Sequence, residues 1–236
     1  IEGRRTLKVK DVKSGKETTL LTPKDLFHMR DGDKNFTWSP DSKWLLVDWA
    51  KTLSNGEVLL MSADGSKRVN LNESGYYDYS PKWVNGGKQM IWFSNRNGLK
   101  SYATSGRSQS DVYSMFFTQD AWDEFNLNEE DYKLMQALKE EEKKAKAKAK
   151  KDKKDDKKTK DKKKTDKKKG PTPLKFDWDN MKDRTRRLTI HSSSLGDAVL
   201  SKKGDVLYYL TRFEGRANLW STNLRTRATK MLMKLN

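Results

Sequence analysis

An all-β fold of repeated four-stranded sheets is what the sequence predicts, on three observations. A unit recurs: "FTWSPDSKWLLVDW" from Phe36, "PKWVNGGKQMIWFS" from Pro81 and "AVLSKKGDVLYYLT" from Ala198 each hold a short apolar strand, a polar turn and a strong second strand. Trp38, Trp83 and Leu200 fall at equivalent places, and Trp38 to Trp83 is 45 positions. The second strands (Trp44–Val47, Met90–Phe93, Val206–Leu210) are nearly all apolar, as expected for strands buried on both faces. A further strand pair follows in "EVLLMSADGSKRVNL" and "ANLWSTNLRTRATKML", and the N-terminal "TLKVKDVKSGKETTLL" has the same form. Four strands per unit at this period is the architecture of a β-propeller blade.

Each element follows in order. Thr6–Leu21 supplies only the outer two strands of a blade, and Phe36–Leu71 supplies a whole one. Pro81–Ile190 is a blade with a large insertion, and Ala198–Leu235 is another whole blade. The expectation is therefore a partial propeller of about three and a half blades. A β-sandwich shares the alternation and stays open as the alternative, while the repeated strand-turn-strand order at fixed spacing favours the propeller. Propellers close with roughly four to eight blades, so the chain reads as a piece of a longer protein. Large rings should fill the space between blades, and Trp38, Trp44, Trp83, Trp92, Tyr208 and Trp220 are expected to be buried.

The insertion divides the chain into 1–127 (blades), 128–173 (a helix, then a Lys-rich run) and 174–236 (blades continued). "SDVYSMFF" from Ser110 is the third strand of its blade, after which the period becomes helical, with Leu127, Leu134, Ala137 and Leu138 recurring. Asn128 followed by Glu129 and Glu130 is a helix cap with an acidic first turn. The apolar positions stop at Leu138, so the helix should fray into a disordered lysine tract that ends at Gly170-Pro171-Thr172-Pro173. Arg186–Ile190 then returns as the fourth strand.

Charge is concentrated in that tract. Lys139–Lys169 holds 18 lysines and 8 acids, a net +10 of the chain's +17. It has no aromatic, no arginine and no β-branched aliphatic residue, so it offers nothing to stack on a base or bury in a core. It reads as a solvated spacer inside a blade, and no specific nucleic-acid partner is expected.

Few residue patterns carry chemistry. There is no cysteine, which excludes disulfides and thiolate metal sites. No run approaches the ~18 apolar residues of a membrane-spanning helix, and the N-terminus has no signal-peptide core. The opening "IEGR" matches a protease-cleavage site but runs straight into a strand pattern, which favours native sequence. His28 and His191 stand apart from any Ser–Asp or metal-ligand pattern, and "NGGK" (Asn85–Lys88) lacks phosphate-loop spacing and reads as a hairpin turn. No catalytic, metal or cofactor-binding residue is assigned.

"SDVYSMFFTQDAWDEFNLNEEDYKLM", the lysine tract, "FDWDNMKDRTRRLT" and "SSSLGDAVLSKKGDVLYYLTRFEGRANLWSTNLRTRATKMLMKLN" together resemble the propeller region of bacterial tricorn-protease homologues. The likeness runs from about Phe36 to Asn236, with Asp183–Thr189 and Arg212–Gly215 its most distinctive parts. The resemblance implies a large serine peptidase whose propellers precede a PDZ domain and a tail-specific-protease-like core, with the nucleophile outside these residues. It further implies a scaffolding or filtering role toward unfolded peptide, no cofactor, a periplasmic or alternatively cytoplasmic location, and scope for a homo-oligomer. A stand-alone binding propeller is the alternative, since a fold does not specify a function.

Overall fold

The computed structural model describes residues 5–27, 35–50, 52–53, 55–101, 107–155, 171–213 and 215–235. The opening "IEGR", His28 and residues 156–170 of the lysine tract lie outside the described residues. Two compact units emerge, Ile1–Trp122 with Thr172–Asn236, and Asp123–Pro171.

The first unit holds four antiparallel sheets met in chain order. Sheet 1 is β1 (Leu7–Lys10) with β2 (Glu17–Leu21). Sheet 2 runs β3 (Phe36–Trp38), β4 (Trp44–Trp49), β5 (Glu57–Ser62), β6 (Arg68–Asn70). Sheet 3 runs β7 (Asp78–Val84), β8 (Gln89–Ser94), β9 (Asp111–Phe116), β10 (Thr185–Arg187). Sheet 4 runs β11 (Ser194–Leu200), β12 (Val206–Arg212), β13 (Asn218–Asn223), β14 (Thr229–Lys234). The repeat is visible in the register: Trp38 pairs with Leu45, Trp83 with Met90 and Leu200 with Leu207. The matching turns also work alike. Ser39 Oγ bonds Asp41 at 2.6 Å and accepts the Trp44 N–H, and Ser201 Oγ bonds Asp205 and accepts the Val206 N–H. In sheet 3 the turn is Asn85–Gly87, where Gly87 has φ +86 and a Cβ would meet Leu174 at 2.6 Å.

Period-two alternation sorts the core into layers. Leu45, Val47, Leu59 and Met61 cluster with Leu7, Leu20 and Leu21 of sheet 1. The intervening Leu46, Val58 and Leu60 cluster with Met90, Trp92, Tyr113 and Met115 of sheet 3. Sheet 2 is thus packed on both faces, as blades stack, and β5, β8 and β9 are buried along their whole length. β12 departs from the expected two-sided burial. Leu207, Tyr209 and Thr211 are buried, but the alternating Tyr208 and Leu210 are only half-buried because no sheet covers their face among the described residues.

The predicted aromatics divide accordingly. Trp92 is fully buried, and Trp44 and Trp83 are half-buried against the sheet 2–sheet 3 core. Tyr208 and Trp220 are half-buried. Trp38 is 42% exposed, contrary to expectation. The register puts Phe36 and Trp38 on the Leu45–Val47 face, toward sheet 1. Among the described residues sheet 1 has two strands, and its apolar cluster takes in β4 and β5 but not β3.

The chain returns from the insertion through Phe176, which meets Trp44 at 4.9 Å and Phe117 at 5.2 Å. Three residues of the Asp183–Thr189 stretch then fix the last strand of sheet 3. The buried Arg184 guanidinium donates to the carbonyls of Phe116, Asp177 and Asp179. Arg187 pairs with the buried Asp111 at 2.8 Å, and Thr189 Oγ1 donates to the same carboxylate at 2.7 Å.

The insertion differs from its expected form. A first helix, α1 (Gln119–Asn126), precedes α2 (Glu129–Asp155), and α2 does not stop near Leu138. Asn128 Oδ1 accepts the Asp131 N–H at 2.8 Å, so the cap lies where expected. Alanine, lysine and glutamate are strong helix formers, and Glu129–Lys133 and Glu142–Lys146 pair at i,i+4 spacing, so helix continues without an apolar face. Replacing Lys143–Lys169 with a short Gly-Ser linker is expected to shift the melting temperature by less than about 2 °C, because loop closure changes by only ~0.6 kcal/mol per doubling of length. Calorimetry of the two chains checks this.

Candidate functional site

An opening lined mainly by residues of sheet 4 lies where sheet 4 meets sheet 3. The two sheets are tied near their first strands by Lys82 of β7, which ion-pairs with Asp197 and donates to the Ala198 carbonyl at 3.1 Å. A second tie comes from the β13–β14 turn, where Arg227 donates to the carbonyls of Leu188 and Thr189. Burial, together with the neighbouring cations Arg186 and Arg187, pushes the Arg227 guanidinium below its ordinary pKa.

Between these ties and the outer edge, the sheets part to leave a cleft of 780 Å3. Ile190 and His191 form one wall, and Phe213, Asn218, Trp220, Thr229, Met231 and Leu235 form the other, with Arg216 and Lys234 also contributing. Strand pairing explains the grouping. Ala198, Tyr209, Trp220 and Met231 lie side by side across sheet 4, so the inner pair is sealed and the outer pair faces the opening. Phe213 and Trp220 pack edge to face at 4.9 Å. The Trp220 indole N–H is buried without an acceptor.

Among the described residues that line the cleft there is no carboxylate, and the Thr229 hydroxyl is bonded to Thr222 at 2.8 Å. His191 is exposed and lies in this wall, and the adjacent Ser192 Oγ donates to the Asp111 carboxylate at 2.7 Å. Among the described residues no three metal-ligating side chains cluster. Arg216 and Lys234 make no ion pair among the described residues, so the cleft is apolar within and cationic at its lining.

A second polar cluster ties sheets 2 and 3 together. The buried Asp78 carboxylate accepts from Trp92 Nε1 at 3.1 Å and Ser74 Oγ at 2.6 Å and pairs with Arg96. Nearby, burial pushes the Glu57 carboxyl up, the Ser74 N–H works against this, and the Asp78 charge adds to it. The fold therefore favours protonated Glu57, so its contribution to stability is best below the ordinary carboxylate range and declines as pH rises through the raised value. Glu57→Gln is expected to flatten this slope as pH rises above the ordinary carboxylate range and to raise the melting temperature at neutral pH. Melting curves across pH would show it.

Residue patterns alone assign no site, and they make Trp220 filler between blades. The available signal is the outermost strand, where Met231-Leu232-Met233 places three consecutive apolar residues in a position expected to face solvent. No helix among the described residues is long and apolar enough to cross a membrane.

Four-stranded antiparallel meanders stacked face to face around a shared run of first strands define this chain as part of a β-propeller. No family model and no curated protein matches the sequence. Solved structures do. TolB from Acinetobacter baumannii matches with a TM-score of 0.50 at 14% identity, over 99% of this chain and 39% of that one. The tricorn protease matches with a TM-score of 0.56 at 12% identity, over 98% of this chain and 20% of that one. The chain thus spans well under half the length of either, and at such identities the likeness is one of fold.

Proposed function

We propose that these residues are a non-catalytic propeller portion of a tricorn-like serine peptidase, scaffolding or filtering polypeptide on its way to a catalytic core elsewhere. The observation that carries this reading is the combination of the tricorn-like sheet stack with an apolar cleft flanked by Arg216 and Lys234. The two-stranded sheet 1 and the uncovered face of sheet 4 support it, since a closed ring covers such surfaces. A periplasmic location belongs to the same reading, with the cytoplasm as its alternative, and cell fractionation distinguishes them.

The chain alone is expected to hydrolyse no fluorogenic peptide, whereas the polypeptide from the full reading frame cleaves it and loses activity when its core serine is replaced. Hydrolysis by the chain alone would overturn the reading. The comparable likeness to TolB favours one alternative, a propeller that binds without any peptidase attached. A reading frame lacking a peptidase core would select it.

A further inference from the structure

We propose that the outer edge of β14 and the adjoining cleft form a docking site for an extended polypeptide segment carrying alternating apolar residues and acidic residues. The inference rests on the polypeptide-handling part of the proposed function and not on an attached peptidase.

Three observations converge on this occupant. The first is the edge. The outermost strands of sheets 2 and 3, β6 and β10, have three residues each, which limits what can pair with them, whereas β14 has six, all exposed. β14 pairs only with β13 among the described strands, so its other side presents unpaired backbone donors and acceptors with no proline. An added strand satisfies these groups, and its alternate side chains fall on the two faces of the sheet.

The second is what those faces hold. Met231, on the cleft side, lies beside Trp220 and Phe213, so a large apolar side chain two residues from its neighbour enters the 780 Å3 opening. The third is charge. Arg216 and Lys234 at the cleft have no acidic partner among the described residues, and Lys230 lies on the opposite face, so acidic residues are complemented whichever way they project.

The probe is a fluorescein-labelled heptapeptide alternating glutamate with valine and phenylalanine, titrated by anisotropy against the chain. Saturable binding below about 1 mM is expected. N-methylation of alternate peptide amides is expected to weaken it about tenfold or more, because it removes strand pairing and leaves the side chains intact. Met231→Asp closes the cleft to apolar groups and has the same expected effect. Arg216→Ala with Lys234→Ala weakens the acidic peptide about three- to tenfold and leaves a glutamine version unchanged. These positions are exposed or at the cleft, and an unaltered melting temperature and circular dichroism spectrum certify the fold of each variant. Trp220→Phe supplies a conservative check. Absence of binding, or binding indifferent to N-methylation and Met231→Asp, overturns the proposal. A dimer that Met231→Asp dissociates, with no peptide bound, replaces it with self-pairing of two β14 edges. Loss of peptidase activity in the longer polypeptide bears only on the proposed function.

Discussion

Trp92→Ala is expected to lower the unfolding free energy by about 3–5 kcal/mol. The ring is 1% exposed, lies within the core shared by sheets 2 and 3, and leans on Tyr113 at 5.7 Å. Its removal opens a cavity between two packed layers that neither can close, because each sheet is held on its opposite face as well. It also deprives the Asp78 carboxylate of a donor. Trp92→Phe separates the two contributions, since it keeps most of the volume and loses only the N–H. Urea unfolding of the three proteins checks the ranking, and a loss below ~1 kcal/mol for the alanine variant would mean that the sheets slide together to fill the space.

Asp111→Ala should cost about 3 kcal/mol, near the lower end expected for breaking a buried ion pair, because Arg187 is partly exposed and regains some water. The carboxylate has no exposed surface and serves three donors, Arg187, Thr189 Oγ1 and Ser192 Oγ, all beyond the insertion. Losing it frees the strand that returns from the insertion, so amide exchange should rise first in β10 and only later in β8. Uniform exchange across sheet 3 would show that Arg184 alone suffices to hold the return.

Those two sites mark what the sequence makes legible and what it hides. The layered core is legible because strand alternation is local: Leu45, Leu46 and Val47 announce opposite faces by position alone. The Asp183–Thr189 stretch can be singled out, but its meaning cannot. Arg184 and Arg187 find partners at Phe116 and Asp111, more than sixty residues away, and no local pattern encodes such a pairing. Trp38 fails for a related reason. Its own strand is correctly placed, and its exposure is decided by how many strands sheet 1 contains. The long helix escapes a criterion based on an apolar stripe, because α2 is sustained by propensity and side-chain pairing. The cleft is hidden for a further reason, since it arises from the spacing between two sheets, a quantity with no period along the chain.

The placement of the insertion between β9 and β10 has a consequence for the time course of folding. β9 ends at Phe116 and its edge partner begins at Thr185. At about 5–20 residues per second, a ribosome needs roughly 3–14 seconds to make the intervening segment. Hairpins form within about 10 microseconds, so β7, β8 and β9 can be paired long before β10 exists. The nascent sheet therefore waits with β9 as its bare margin, and the polypeptide threaded behind it during that interval is first a capped helix and then a strongly cationic tract that repels its own copies on neighbouring ribosomes.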